Sequence, residues 1–176
     1  MFILYEVLTS VDIPAEFLSE NFREAVTDKI ESQYIGKIIK DEGVCIALYQ
    51  LQIQETEVKE EGLSCKCLGS FVVFKPFLGE VLTGKIKDCN HEGITVSLNF
   101  IDAFIPYSNL AEPSSFDELE RVFVWHYEEA DLFYDIGETV RFKVVGYWLP
   151  EEEGMLIQLL GSVNQDGLGL LQWWNT

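Results

Sequence analysis

Basic residues are scarce in this sequence. Its 176 residues include 12 lysines and arginines against 30 aspartates and glutamates, which gives a formal net charge of −18 at pH 7. Residues 1–79 contribute 7 basic and 13 acidic side chains, and residues 80–176 contribute 5 and 17. So acidic a surface repels the phosphate backbone of nucleic acids. Any contact with RNA is therefore expected to be local and weak.

Histidine is also rare, and the motifs of common catalytic sites are missing. His91 lies in a predicted turn and His126 in a predicted strand, 35 residues further on. The chain has no Walker loop, dinucleotide fingerprint, His-Glu-x-x-His motif or Gly-x-Ser-x-Gly motif. The sequence therefore predicts a protein that is not an enzyme and that needs no cofactor.

Only four cysteines occur, and only Cys65 and Cys67 are close together. No second pair has the spacing of a zinc site. Cys45 and Cys89 lie among strand-forming residues, where a free thiol behaves as a small apolar side chain. We expect four reduced structural thiols, with a metal site as the alternative.

Long apolar runs are missing as well. No stretch approaches the roughly 18 apolar residues of a membrane helix. The N-terminal segment MFILYEVLTSVDIP has neither a basic region nor a small-residue cleavage site of a signal peptide. Hydrophobic residues nevertheless make up 48% of the chain, enough for packed cores. We expect a folded intracellular protein without membrane contact.

The first 78 residues have the pattern of a small α/β domain. Apolar residues recur at helical spacing from Pro14 to Tyr34, and Gly36 ends the pattern. Strand-like runs at 2–8, 44–53 and 70–74 surround this helix, and residues 55–62 read as an acidic helix or loop. The order β-α-β-β predicts one helix packed on one sheet. The segment PFLG at 76–79 marks the domain boundary, which gives domains 1–78 and 79–176.

Residues 79–176 contain a series of short strands separated by turns. Ile94, Val96 and Leu98 alternate with polar residues, as in a strand with one buried face. Strand-like runs cover the following ranges: 81–87, 93–100, 103–106, 122–127, 139–148 and 155–163. Five or six short strands in about 95 residues predict a small closed barrel. The predicted fold class is therefore α+β.

Four of the five basic residues in this half lie on strands at alternate positions. They form two pairs, Lys85 with Lys87 and Arg141 with Lys143, and each pair is expected on one outward face. Thr95, Ser97, Phe104 and Tyr107 would extend this face with polar groups and stacking rings, as in oligonucleotide-binding barrels. Alternatively, the lysines are ordinary solvated residues and the rings belong to the core.

Three stretches are similar to an RNA-binding OB fold: GKIK at 84–87, GITVSL at 93–98 and IP at 105–106. The stretch VVFKPFLGE at 72–80 leads directly into this fold. With this junction, the sequence resembles the larger stalk subunits of archaeal and eukaryotic RNA polymerases over essentially its whole length. LGS at 160–162 and GLGLLQWW at 167–174 are similar to the stalk subunit of polymerase III. VW at 124–125 and DLFYD at 131–135 agree with that choice. A short acidic turn at 150–154 stands where this family often carries a long polar insertion.

The resemblance implies different roles for the two domains. The N-terminal domain would be an RNP-like tip that docks on the polymerase III core through Gly36, Lys37, Ile38, Ile39 and Gly43. Between the two glycines, Ile38 and Ile39 are expected to form an exposed apolar pair on a loop tip. Alternatively, they begin a strand and pack within their own domain. The five-stranded OB barrel would contact nascent RNA weakly. A smaller helical stalk subunit would form a heterodimer with this chain, which would act in transcription initiation in the nucleus.

Two other interpretations remain open at this point. The chain could be the stalk subunit of another nuclear or archaeal polymerase, although the tryptophan pair at 173–174 argues against this. It could also be a free-standing RNA-binding factor with an OB fold, although a net charge of −18 argues against unaided RNA affinity.

Overall fold

The computed structural model of the protein describes residues 1–18, 21–150 and 156–174. These residues divide into two units at the bond between Lys75 and Pro76. The boundary predicted from the sequence, between residues 78 and 79, lies three residues further along the chain.

The first unit is a four-stranded antiparallel sheet with one α-helix. The strand order is β1-β4-β3-β2. Its elements are β1 (Phe2–Pro14), a 3-10 helix (Ala15–Phe17), α1 (Phe22–Tyr34), β2 (Ile38–Ile39), β3 (Gly43–Lys59) and β4 (Gly62–Phe74). This confirms the predicted helix packed on a sheet, with the short strand β2 in addition.

The core of this unit lies between α1 and one face of the sheet. Val26 and Ile30 lie four residues apart on the helix and are completely buried against the sheet. The helix begins at Phe22 and not at Pro14, so that Phe17 is exposed instead of joining the buried stripe. No helix in the described ranges has both the length and the apolar character needed to cross a membrane.

The prediction of a helix or loop at 55–62 is wrong for its first part. Strand β3 continues to Lys59, which lies opposite Gly62 at the turn to β4. Cross-strand contacts maintain this extension: Val58 lies opposite Leu63, and the Lys66 ammonium lies 3.9 Å from the Glu55 carboxylate. Strand β3 therefore extends through an acidic segment whose composition does not indicate a strand.

The second unit is a closed five-stranded barrel with an inserted sheet. Its strands are β5 (Val81–Asn90), β6 (Gly93–Ser97), β7 (Asp102–Pro106), β8 (Ser114–Asp117), β9 (Val122–Tyr127), β10 (Ala130–Phe133), β11 (Thr139–Trp148), β12 (Gln158–Ser162) and β13 (Gly169–Leu170). The barrel order is β12-β7-β6-β5-β11, and β12 pairs back onto β11. This confirms the predicted OB-type barrel.

One strand lies elsewhere than predicted. Val122–Tyr127 forms the centre of a separate three-stranded sheet, β10-β9-β8, inserted in the chain between β7 and β11. Short 3-10 helices cover Tyr107–Asn109 and Leu171–Trp174. Except for Pro150, the predicted acidic turn at 150–154 lies outside the described residues.

All four cysteines are free and buried, as expected for structural thiols. Burial raises the pKa of each thiol, and that of Cys45 reaches about 11. In the described part of the chain, no group of three or more His, Cys, Asp or Glu side chains is arranged to hold a metal ion.

The cysteines are predicted to be unreactive in the native protein. A pKa of about 11 leaves about one Cys45 thiol in a thousand ionised at pH 8, and only the thiolate attacks a disulfide reagent. We expect slow labelling at pH 8, faster labelling as the pH rises toward 11, and rapid labelling of all four thiols in denaturant. Rapid native labelling of Cys45 at pH 8 would contradict the buried position.

Candidate nucleic-acid interface

The candidate basic face is the outer surface of the barrel across β6, β5 and β11. Lys85 lies opposite Ser97 of β6, and its neighbour Ile86 is buried in the barrel. On β11, Arg141 and Lys143 alternate with inward side chains in the same way. The structure therefore places Lys85, Ser97, Arg141 and Lys143 on one exterior surface, as the alternation predicts.

Most of the basic groups on this face already have partners. The Lys87 ammonium lies 2.7 Å from the Asp102 carboxylate. Arg141 Nη1 donates to the Gly167 carbonyl at 3.3 Å, and Lys143 Nζ donates to Gln165 Oε1 at 3.3 Å. Within the part of the chain that the structure describes, Lys85 has no such partner. Lys85 is therefore the cation most available to an external phosphate.

The polar and aromatic candidates occupy two different positions. Thr95 of β6 lies opposite Phe104 of β7, and both side chains are half-buried on the barrel exterior. Tyr107 follows β7 in a 3-10 helix, with its ring stacked on Phe123 at a centroid distance of 5.6 Å. Its hydroxyl donates to the Ser114 carbonyl at 3.3 Å. Tyr107 is thus fixed at the edge of the inserted sheet, and its ring remains about half exposed.

The sequence prediction missed an apolar groove on the barrel exterior. The groove has a volume of about 530 Å³, and Phe104, Tyr147, Trp148 and Leu160 contribute to its lining. Gly146 lies opposite Leu160 and adds no side chain to fill it. The signal in the sequence was the adjacent pair Tyr147 and Trp148 at the end of a strand, where alternation can bury only one of two neighbours. Both are about half exposed.

The proposed docking segment is a strand and not an exposed loop. Ile38 and Ile39 pair with Val44 and Gly43, and both isoleucines are half-buried. Ile39 also packs against the core of the first unit. The expectation of an exposed apolar pair is therefore wrong, because β2 extends the sheet at this point. The alternative interpretation, a strand packed within its own domain, describes the pair correctly.

The two glycines of this segment have different roles. Gly43 has φ +131°, and a Cβ there would lie 2.1 Å from the Phe74 carbonyl oxygen. Gly36 has φ +79° directly after the helix and open space around it. Gly43 is therefore required for strand pairing, whereas Gly36 and the exposed Lys37 form the accessible part of the segment.

The C-terminal aromatic residues close one side of the barrel. The Trp173 ring lies 5.4 Å from Trp125 and meets the buried Tyr134 edge-on at 4.8 Å. Trp174 is more exposed, and its indole N–H donates to the Leu168 carbonyl at 3.0 Å. The tryptophan pair thus fixes the end of the chain to the barrel and to the inserted sheet.

Two family models match the two halves of the chain. The model described as "SHS2 domain found in N terminus of Rpb7p/Rpc25p/MJ0397" matches residues 9–69. The model described as "RNA polymerase III subunit Rpc25" matches residues 80–154.

Similar proteins cover essentially the whole chain. DNA-directed RNA polymerase III subunit RPC8 of Bos taurus is 36% identical over 100% of both chains. RPC8 of Saccharomyces cerevisiae is 33% identical over 99% of this chain and 100% of its own. The chain belongs to the RPC8 family of RNA polymerase III subunits. The archaeal subunit Rpo7 of Sulfolobus acidocaldarius is 23% identical over 99% of this chain and 96% of its own.

Family membership confirms the choice that the terminal tryptophans indicated. The structure accounts for these residues as packing groups of the RPC8 barrel, because Trp173 contacts two other aromatic rings. The positions that the sequence assigned to RNA and to docking are a separate matter. They stay predictions.

Removal of the Trp173 ring is expected to destabilise the barrel. Trp173→Ala deletes contacts with two aromatic side chains and leaves a cavity, at a cost of about 3 kcal/mol in the free energy of unfolding. Trp174→Ala, the matched control, loses mainly one hydrogen bond and is expected to cost about 1 kcal/mol. Urea unfolding of the two variants measures the difference. Equal effects would contradict the central position of Trp173.

Proposed function

We propose that this chain is the larger, non-catalytic subunit of the RNA polymerase III stalk. It docks on the polymerase core together with a smaller helical subunit, acts in transcription initiation in the nucleus, and contacts nascent RNA with its barrel. The observation that carries this proposal is the match to RPC8 proteins over the full chain, with both domains in the same order.

Exposed apolar surface in each unit supports a permanent protein partner. On β1, Leu4 and Leu8 point away from the core and are 60% and 53% exposed. On the barrel, the groove with Trp148 and Leu160 is open and mainly apolar. Apolar patches of this kind mark protein interfaces. A free-standing RNA-binding factor would have no need to expose them.

The charges on the barrel support a weak and non-specific RNA contact. Lys85 is exposed and lies opposite Ser97. Arg141 and Lys143 each donate a hydrogen bond to an acceptor of the chain itself. Phosphate contacts of lysine carry no sequence information. One lysine such as Lys85 in an acidic protein gives little affinity by itself. RNA would therefore bind where the polymerase brings it close to the barrel.

The docking proposal predicts that Gly36 and Lys37 contribute to attachment to the core. Lys37→Glu reverses an exposed charge. Gly36→Asp adds an acidic side chain in open space, at a φ of +79° that costs a residue other than glycine about 1 kcal/mol. We expect each to weaken binding of the two-subunit stalk to purified core by about fivefold or more. Lys29→Glu, an equal charge reversal on α1, is the control and should bind normally.

The docking measurement also separates folding from attachment. Gly43→Asp is unsuitable, because its Cβ would collide with the backbone at Phe74. Formation of the heterodimer by each variant shows that the fold is intact before the core is added. Normal recovery of both the Lys37 and the Gly36 variants with core would show that the docking surface lies elsewhere.

The RNA proposal predicts different roles for the two β5 lysines. Lys85→Ala is expected to lower affinity for single-stranded RNA several-fold at low salt, equally for all sequences, and to reduce the salt slope by about 1. Asp102→Asn should raise affinity, because it releases Lys87 from its ion pair. Lys59→Ala, in the first unit, is the control. Unchanged binding of the Lys85 variant in a low-salt titration would exclude this face.

A further inference from the structure

The inserted sheet carries a hydrogen-bonded row of three polar side chains that the proposed function does not use. Ser115 Oγ lies 2.7 Å from His126 Nε2, and His126 Nδ1 lies 2.7 Å from Asp131 Oδ1. A carboxylate only accepts hydrogen bonds, so Nδ1 is the donor to Asp131. In the neutral ring, Nε2 then accepts from the Ser115 hydroxyl.

The position of this row in the fold makes Ser115 accessible. Ser115 lies on the short strand β8, which pairs with β9 at one side of the inserted sheet, and its side chain is exposed. Asp131 lies directly opposite His126 in the pairing of β9 with β10. All three side chains are exposed, and water weakens any activation of the hydroxyl by the imidazole. The exposure of Ser115 therefore favours its modification by a separate enzyme. The exposure of all three side chains argues against catalysis by this protein.

Acidic residues follow Ser115 closely. Asp117, Glu118 and Glu120 stand two, three and five positions after it, in a stretch from 112 to 138 with nine acidic residues and one basic residue. Enzymes with basic substrate clefts select such serines by charge complementarity. Ser115 also has the extended backbone that a peptide adopts in a cleft. We infer that Ser115 is a phosphorylation site for a protein kinase that prefers acidic residues after the target serine.

The adjacent Ser114 provides an internal comparison. It too has an acidic residue, Asp117, three positions later. Its side chain, however, is half-buried, and its hydroxyl donates to the Ala111 carbonyl. The Asp117 carboxylate also accepts from the backbone N–H groups of Leu119 and Glu120. Glu118, three positions after Ser115, lies 3.6 Å from His91 Nε2, but its side chain is 74% exposed and stays accessible. Sequence alone does not separate the two serines, but the structure selects Ser115.

The reaction and its product are chemically simple. Ser115 Oγ attacks the γ-phosphorus of ATP, its proton passes to the base of the kinase, the bond to the bridging oxygen breaks and ADP leaves. The phosphate brings a charge of about −1.5 to −2 next to His126. With a proton taken up from water, His126 Nε2 becomes a donor to the phosphate, while Nδ1 keeps its bond to Asp131.

The test uses the full chain, ATP and an acidic-directed serine kinase, with mass spectrometry to locate the phosphate. We expect one major site at Ser115, loss of at least about tenfold in labelling for Ser115→Ala, and normal labelling for Ser114→Ala. Glu118→Gln should slow the reaction. A kinase that requires arginine before the serine is the control and should not label this segment. Phosphate on Ser114, or none in the segment, would overturn the assignment.

A second measurement tests the contact with His126. Phosphorylation should lower the melting temperature more in His126→Asn than in the unchanged protein, because the variant leaves the phosphate facing Asp131 without a cation. An equal shift in both proteins would show that the phosphate does not contact this ring.

Discussion

Closure of the second unit depends on one strand that changes partners along its length. Residues Thr139–Lys143 of β11 pair with β5, and residues from Lys143 to Trp148 pair with β12. An irregularity between Val144 and Gly146 occurs within the second pairing, and bulges of this kind bend a strand and increase its twist. Without the second pairing the sheet would keep two open edges with unpaired backbone groups. The barrel, its basic exterior and its apolar groove all depend on this strand.

The same strand explains why the end of the chain is so recognisable. Val140 and Arg141 of β11 also pair with the two-residue strand β13, which brings Trp173 against the inserted sheet. Gly169 makes this possible, because a Cβ there would lie 2.5 Å from the Trp173 ring. Gly169 and Trp173 are thus both required, because the ring packs directly against the glycine backbone. The terminal tryptophan motif therefore has a structural cause in the packing of the barrel.

The sequence predicted most of this architecture in the segments where burial determines which positions are apolar. Ile94 and Val96 alternate with polar residues because the barrel interior accepts every second side chain. Prediction failed where pairing partners decide the structure. The acidic end of β3 is a strand because β4 lies beside it, and Val122–Tyr127 pairs with its own neighbours β8 and β10 instead of joining the barrel. The Ser115–His126–Asp131 row was invisible for the same reason, since strand register creates it.

The charge of the second unit is unevenly distributed along the chain. Four of its five basic residues lie on β5 and β11, whereas the stretch from 112 to 138 has nine acidic residues. At physiological ionic strength, charges further apart than about 8 Å are largely screened. The acidic stretch nevertheless reaches β5, since the Glu138 carbonyl accepts from the Ile86 N–H at 3.0 Å. Acidic charge this close weakens a phosphate contact at Lys85 and prevents RNA from spreading over the surface. A contact so confined gains little from free diffusion and much from a high local concentration of RNA. A polymerase that brings RNA close to the barrel, as proposed above, would provide this condition.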